Sequence, residues 1–232
     1  MNPEQAFEKL CADQNHKDRE VLERTISKDA EHSYCYAEHV IEGRFVLGEY
    51  VISKDAEYSY EYAKYVLKSR FILGEAAISQ EARWSYCYAR DVIKGRFELG
   101  EAATSQEARW SQWYARYVIG GRWELGEAAI SKDADASYYY AKEVIGGRFE
   151  IGEAAISKKE VYANFYANDL VRGNWTQELA VMCPIWLYLY AKDVSKGRLP
   201  TTMHNKMLVF GMIDSSNRYV KRYLGSKKYC TL

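Results

Sequence analysis

SKDAEYSYEYAKYVLKSRFILGEAAI, residues 53–78, decides how this 232-residue chain folds, because its frame returns every 26 residues. Glu23, Glu49, Glu75, Glu101, Glu127 and Glu153 keep that spacing, and so do Ser27, Ser53, Ser79, Ser105, Ser131 and Ser157. The pair Tyr62-Ala63 recurs at Tyr36-Ala37, Tyr88-Ala89, Tyr114-Ala115, Tyr140-Ala141 and Tyr166-Ala167, with a seventh copy, Tyr190-Ala191, two residues early. A self-similar period of this length is the signature of stacked supersecondary units.

Each unit reads as two helices. Ser53 is read as the N-cap of the first, its hydroxyl accepting a bond from an unpaired first-turn amide, and Asp55 adds negative charge at the positive helix end. The first helix runs from Lys54 to about Lys68 and stops at a glycine in most copies: Gly43, Gly95, Gly121, Gly147, Gly173 and Gly197. Glycine there is expected to supply a left-handed C-terminal residue. Ser69 replaces it in one copy, which predicts a less clean stop. The second helix, about Arg70 to Ile78, spans roughly two turns and is too short to persist alone. Its central glycine (Gly48, Gly74, Gly100, Gly126, Gly152) implies a helix backbone packed too close for a Cβ.

At 100° per residue, Ala56, Ser59, Tyr60, Ala63, Val66 and Leu67 share one sector of the first helix, with Tyr62 at its border. That sector is read as core. The opposite sector varies between copies yet stays aromatic, as at Tyr58, Trp84, Trp110, Trp113, Tyr117, Tyr139 and Phe165. Two readings stand for it: an exposed row of interface anchors, or rings covered by long neighbouring side chains.

The fold class expected is therefore all-α: a right-handed α-solenoid of six to seven helix-turn-helix repeats with terminal caps. Residues 1–16 form an N-terminal capping helix, 17–199 the repeats, and 200–232 basic capping helices. Asp214-Ser215-Ser216 looks like the cap of a helix from Asn217 to Leu224 that stops at Gly225.

Lys and Arg number 32, as do Asp and Glu, which argues against a strongly basic nucleic-acid binder. The balance is uneven: from Thr201 onward the net charge is +5, with Arg218, Lys221, Arg222, Lys227 and Lys228 in that segment. No long apolar run suggests a membrane span, and the opening MNPEQAFEKL has no signal core. Five cysteines (Cys11, Cys35, Cys87, Cys183, Cys230) without a C-x-x-C pair fit a reducing cytoplasm.

Lys17-Asp18-Arg19-Glu20-Val21-Leu22, followed by Tyr36-Ala37, resembles a family of short helical tandem repeats of unknown function in bacteria, protists and large viruses. Later units, of the type Gly-Arg-Phe-Glu-Leu-Gly-Glu-Ala-Ala-Ile, look like repeats of uncharacterised bacteriophage proteins. The resemblance covers about residues 16–198 and departs at the Gly-Arg-Phe step, where the wider family has Asn-Asp-Arg. It implies an α-solenoid and supplies no catalytic residues.

No phosphate-binding, nucleophile-elbow or zinc-protease motif is present, so no cofactor and no enzyme activity are expected. His32, Cys35 and His39 share one helical face but offer three metal ligands with no evident fourth, so they are read as surface residues. Arg44, Arg70, Arg96, Arg122, Arg148 and Arg198 either pair with the recurring glutamates or line up for phosphates, and the matched period favours pairing. The function expected is a non-catalytic scaffold that binds a partner protein through the aromatic surface. The resemblance makes that a phage-encoded inhibitor of a host protein or defence system. The alternative is nucleic-acid or nucleotide binding, by stacking on exposed rings with arginine–phosphate contacts.

Overall fold

The computed structural model describes residues 1–171, 176–196 and 199–226. Gly173, Gly197, Arg198, Lys227, Lys228 and Cys230 lie outside the described residues. Among the described residues every regular element is helical, and helix pairs follow one another with the 26-residue period. The chain divides into two compact units, Met1–Gly126 and Glu127–Leu232.

In the first unit, the helix Pro3–Ala12 packs on Arg19–Ile26. Asn2 and Gln5 close a reciprocal capping box at its start. The long helices then stack side by side: Ala30–Tyr36, Ala56–Glu61, Ala82–Tyr88 and Ala108–Tyr114. A short helix follows each, such as Glu75–Ile78 entered through a 3-10 turn at Ile72–Gly74. The second unit has long helices Ala134–Tyr139 and Glu160–Tyr166, then Pro184–Asp193 and the terminal pair Thr201–Ile213 and Arg218–Leu224. Leu187, Ala191, Leu199, Met203, Met207, Val220 and Tyr223 form one core there. Asn217 itself caps the last helix by accepting from the Tyr219 and Val220 amides.

Several local expectations need correction. The N-cap of each long helix is not the serine but the residue two further on: Asp29, Asp55 and Asp133 accept an amide of the first turn, as Asp55 does from Tyr58, whereas Glu81, Glu107 and Lys159 hold the position without a side-chain bond. Ser53 instead follows the short helix and donates its hydroxyl to the Tyr50 carbonyl. The long helices do not end at the recurring glycine either. Their last stretch widens into π-helix, as at Tyr62–Leu67, and the left-handed residue is the one before: Glu42, Lys68, Lys94, Gly120 or Gly146. The Ala63 carbonyl then accepts from both the Lys68 and Ser69 amides. Ser69 therefore ends its helix as the glycines do. Widening admits an extra residue into the turn, so positions beyond it slip round the wheel. Val66 and Leu67, placed in the core by α-helical phase, are only half-buried, and Tyr62, placed at its border, is fully buried.

Tyr62 is central to a joint between successive repeats. Its hydroxyl accepts from the Phe45 amide at 2.9 Å and donates to the Glu49 carboxylate at 3.1 Å. The Arg44 guanidinium grips that carboxylate with two nitrogens. The same joint recurs as Tyr88 with Phe71, Glu75 and Arg70, as Tyr114 with Phe97, Glu101 and Arg96, and as Tyr166 with Phe149, Glu153 and Arg148. Each tyrosine reaches back to the unit before it. The arginines are thus paired with glutamates, but not as loose surface pairs: Glu75 is 6% exposed while Arg70 is 52% exposed. A degenerate version closes the C-terminal core, where Tyr223 accepts from the Leu199 amide and contacts His204 Nδ1 at 2.9 Å.

The central glycines do sit at a close approach, to a serine and an aromatic ring rather than to backbone. A Cβ on Gly74 would lie 2.5 Å from Ser59 Oγ and 2.6 Å from the Phe71 ring. Ser59 in turn donates to the Ile52 carbonyl at the end of the preceding short helix, 2.7 Å away.

Two outcomes test the joint. Tyr88→Phe leaves the buried Phe71 amide without its acceptor, and should lower stability by about 1–3 kcal/mol in urea denaturation. The Arg96 guanidinium, with help from the Tyr114 hydroxyl and against the cost of burial, holds the Glu101 carboxyl below its usual value of 4.5. A depressed carboxyl adds stability above its unfolded value and loses it as pH falls through the folded one. The urea midpoint should therefore fall more steeply below about pH 4.5 in the wild type than in Glu101→Gln.

Candidate functional site

The outward row of each long helix is set by the 3.6-residue turn. In the first unit it runs Glu31-Cys35-Glu38, Glu57-Glu61-Lys64, Arg83-Cys87-Arg90 and Arg109-Trp113-Arg116. Beside it runs an aromatic ladder in which a ring of one repeat meets a ring of the next. Tyr34 meets Tyr58 at 6.0 Å, Tyr60 meets Trp84 at 5.4 Å, and Tyr86 meets Trp110 and Trp113 at 5.8 and 5.7 Å.

This ladder sorts the aromatic residues that the sequence groups as one surface. Trp84 must be removed from the set, since it is only 7% exposed. Tyr60 lies against it and the Arg83 guanidinium covers it at 4.2 Å. Tyr58 is half-buried, and burial with the nearby Glu31 pushes its hydroxyl up to about 12. Trp110 and Trp113 are half-buried and meet edge to face at 5.3 Å. Arg109 lies over both rings, and Arg116 lies over the ring of exposed Tyr117. In the second unit, Tyr139 and Phe165 are exposed and flank buried Tyr138.

A second lateral link uses the same tyrosine column. The Tyr60 hydroxyl donates to Asp91 at 2.6 Å, and Lys64 donates to both at 2.8 and 2.9 Å. Tyr138, Asp169 and Lys142 repeat this arrangement in the second unit. The tyrosine itself is absent from the fourth and sixth repeats, where Gln112 and Asn164 replace the Tyr34, Tyr60, Tyr86 and Tyr138 of the others. Gln112 is 4% exposed, and its side-chain nitrogen is the one buried side-chain donor without a partner among the described residues.

The charge along the row changes sign. Glu31, Glu38, Glu57 and Glu61 crowd the first two repeats, and burial with Glu57 and Glu38 raises the Glu61 carboxyl. Burial and the same acidic group raise the Cys35 thiol. Arg83, Arg90, Arg109 and Arg116 occupy the third and fourth. The matched Glu-to-Arg exchange between repeats was the sequence signal for this. Overall charge neutrality concealed it. A second exposed row was also missed: Val21, Leu47, Leu73, Leu99 and Leu125, at least 55% exposed on the short helices. Its signal was an aliphatic residue in every copy at one position.

His32, Cys35 and His39 are not drawn together. His32 Nδ1 lies 2.6 Å from Asp29, and His39 is exposed beside Glu38. No group of three or more His, Cys, Asp or Glu side chains among the described residues is arranged to hold a metal. No described helix is long and apolar enough to cross a membrane. Comparison with protein-family models, curated proteins and solved structures returned no match.

The sorting of rings has a direct check. Trp84→Ala should cost about 3–5 kcal/mol in urea denaturation, as for a buried ring. Tyr117→Ala should stay within about 0.5 kcal/mol of wild type. Equal costs would contradict the division into covered and open rings.

Proposed function

We propose that the chain is a non-catalytic binding scaffold that engages a partner protein on the face made by Arg109, Trp110, Trp113, Arg116 and Tyr117. The observation that carries this reading is the buried, unpaired amide of Gln112, on the helix that bears Arg109, Trp110 and Trp113. The frame is kept for its packing, and the lateral tyrosine link is made at Tyr60 and Tyr138. Gln112 and Asn164 replace the ring in the fourth and sixth repeats, and in the fourth a buried amide is left unpaired on the same helix as half-emerging Trp110 and Trp113. Local departures from a consistent frame concentrate at functional positions.

The chemistry suits an acidic partner segment. A guanidinium stacked on an indole keeps its N–H edge free to pair with a carboxylate. Trp, Tyr and Arg also dominate the energetics of protein interfaces. The resemblance of the repeats to those of bacteriophage and large-virus proteins makes a host protein, or part of a host defence system, the partner we propose. Nucleic acid is the second reading, since rings and arginines also hold a single strand. The adjoining row of Glu31, Glu38, Glu57 and Glu61 would repel a phosphate backbone tracking the same face, which favours protein.

The test is capture from nuclease-treated host lysate by the tagged full chain, beside Arg109→Glu/Arg116→Glu and Trp110→Ala/Trp113→Ala. Wild type should retain a protein that both variants lose, with helical circular dichroism unchanged in the arginine variant. Each anchor tryptophan should be worth about 30-fold in Kd. Capture that survives in both variants, or that nuclease abolishes, would sink the protein-partner reading.

A further inference from the structure

Resting on that reading, we infer that one protein able to occupy this face is a second copy of the same chain, paired about a two-fold axis that runs along the long helices between the second and third repeats. Such an axis keeps the helix direction and reverses the order of repeats. The first repeat then faces the fourth, the second faces the third, and equivalent helical positions meet.

The sequence at those positions is complementary under this operation. Glu31 meets Arg109, Glu38 meets Arg116 and Glu57 meets Arg83, each pair separated by whole periods in the chain. Glu31, Glu57, Arg83, Arg109 and Arg116 are exposed, and Glu38 is half-buried. The operation applied twice is the identity, so every pair occurs twice, giving six opposite-charge meetings. Trp113 falls opposite Cys35, and Glu61 opposite Cys87. One pair, likewise met twice, joins like charges: Lys64 with Arg90. In each chain Asp91 sits between those two cations, bonded to Lys64 at 2.9 Å and gripped by both nitrogens of Arg90. A shift by one repeat would set Glu57 or Arg83 against its own copy, and a shift by two would set Glu57 against Glu31 or Arg83 against Arg109, so the unshifted register makes the most opposite-charge meetings. That is the self-complementarity an isologous interface requires.

Size is also adequate. Four helices of about twelve residues, spaced ~9 Å apart, present roughly 650 Å² on each copy. The total, roughly 1,300 Å², falls within the range of specific protein interfaces. Opposed charges would supply steering and register, and the Trp110–Trp113 cluster the desolvated centre of each half.

Sedimentation velocity of the full chain across a concentration series tests this. Wild type should form a dimer that weakens at least about tenfold between ~0.05 M and ~0.5 M salt. An all-acidic variant, Arg83→Glu/Arg109→Glu/Arg116→Glu, and an all-basic one, Glu31→Arg/Glu38→Arg/Glu57→Arg, should each be monomeric. Mixed one to one they should form a heterodimer. Circular dichroism of each variant identifies a folding failure, in which case Arg109→Glu paired with Glu31→Arg repeats the exchange with single changes. A wild type monomeric at every concentration, or a dimer indifferent to salt and to both variants, overturns the self-pairing. A monomer that still captures a host protein through Trp110 and Trp113 leaves the proposed function standing.

Discussion

A phenol hydroxyl that both accepts from a backbone amide and donates to a carboxylate ties a repeat to the one before at Tyr62, Tyr88, Tyr114 and Tyr166. The Phe71 amide and the Glu75 carboxylate are both removed from water, and Tyr88 satisfies the two at once. A buried carboxylate is costly unless its charge is met, and Arg70 meets it while keeping much of its own surface in solvent. The contact is therefore polar in chemistry and closed to water in geometry. It fixes how far one unit can slide along the next, which apolar packing alone, being non-directional, would leave looser.

Much around the joint follows from the room it needs. The short helix must lie close against the long one, so its central residue has no Cβ, and the facing residue is a serine that also satisfies the end of the previous helix. The long helix must turn sharply afterwards. It does so by widening its last turn and letting a single alanine carbonyl accept two amides. Glu42, Lys68 and Lys94 accept a left-handed conformation there although none is glycine. For a residue with a Cβ that conformation costs about 1–2 kcal/mol. The surrounding packing has to hold it, as it holds other strained backbone.

The period, the helical class, the helix pair and the close glycine contact were all legible, because each is a statement about residue spacing. The capping residue and the helix stop were not. Asp55 and Ser53 are both good caps, and only the backbone path separates them. The π turn carries no composition of its own, so helical phase beyond Tyr62 was misjudged. In the site, residue type identified the aromatic column but not which rings lie under a neighbour. Trp84 and Trp110 occupy the same position in the frame. Trp84 is covered by Tyr60 and Arg83, whereas Trp110 shares Tyr86 with Trp113 and stays half-open. The charge exchange along the row was readable in principle, one column at a time, but a count over the whole chain averages it to zero.

Each joint draws its tyrosine from one unit and its glutamate, arginine and amide from the unit before, always with the same offsets. A segment of 26 residues excised from anywhere within the regular series brings together two ends that already match. Unequal recombination within the corresponding gene would then yield longer or shorter descendants whose seams are chemically indistinguishable from the old ones. The frame tolerates changes in copy number, while the features confined to individual copies, the acidic first pair and the arginine-bearing second pair among them, can be shuffled like beads on a string.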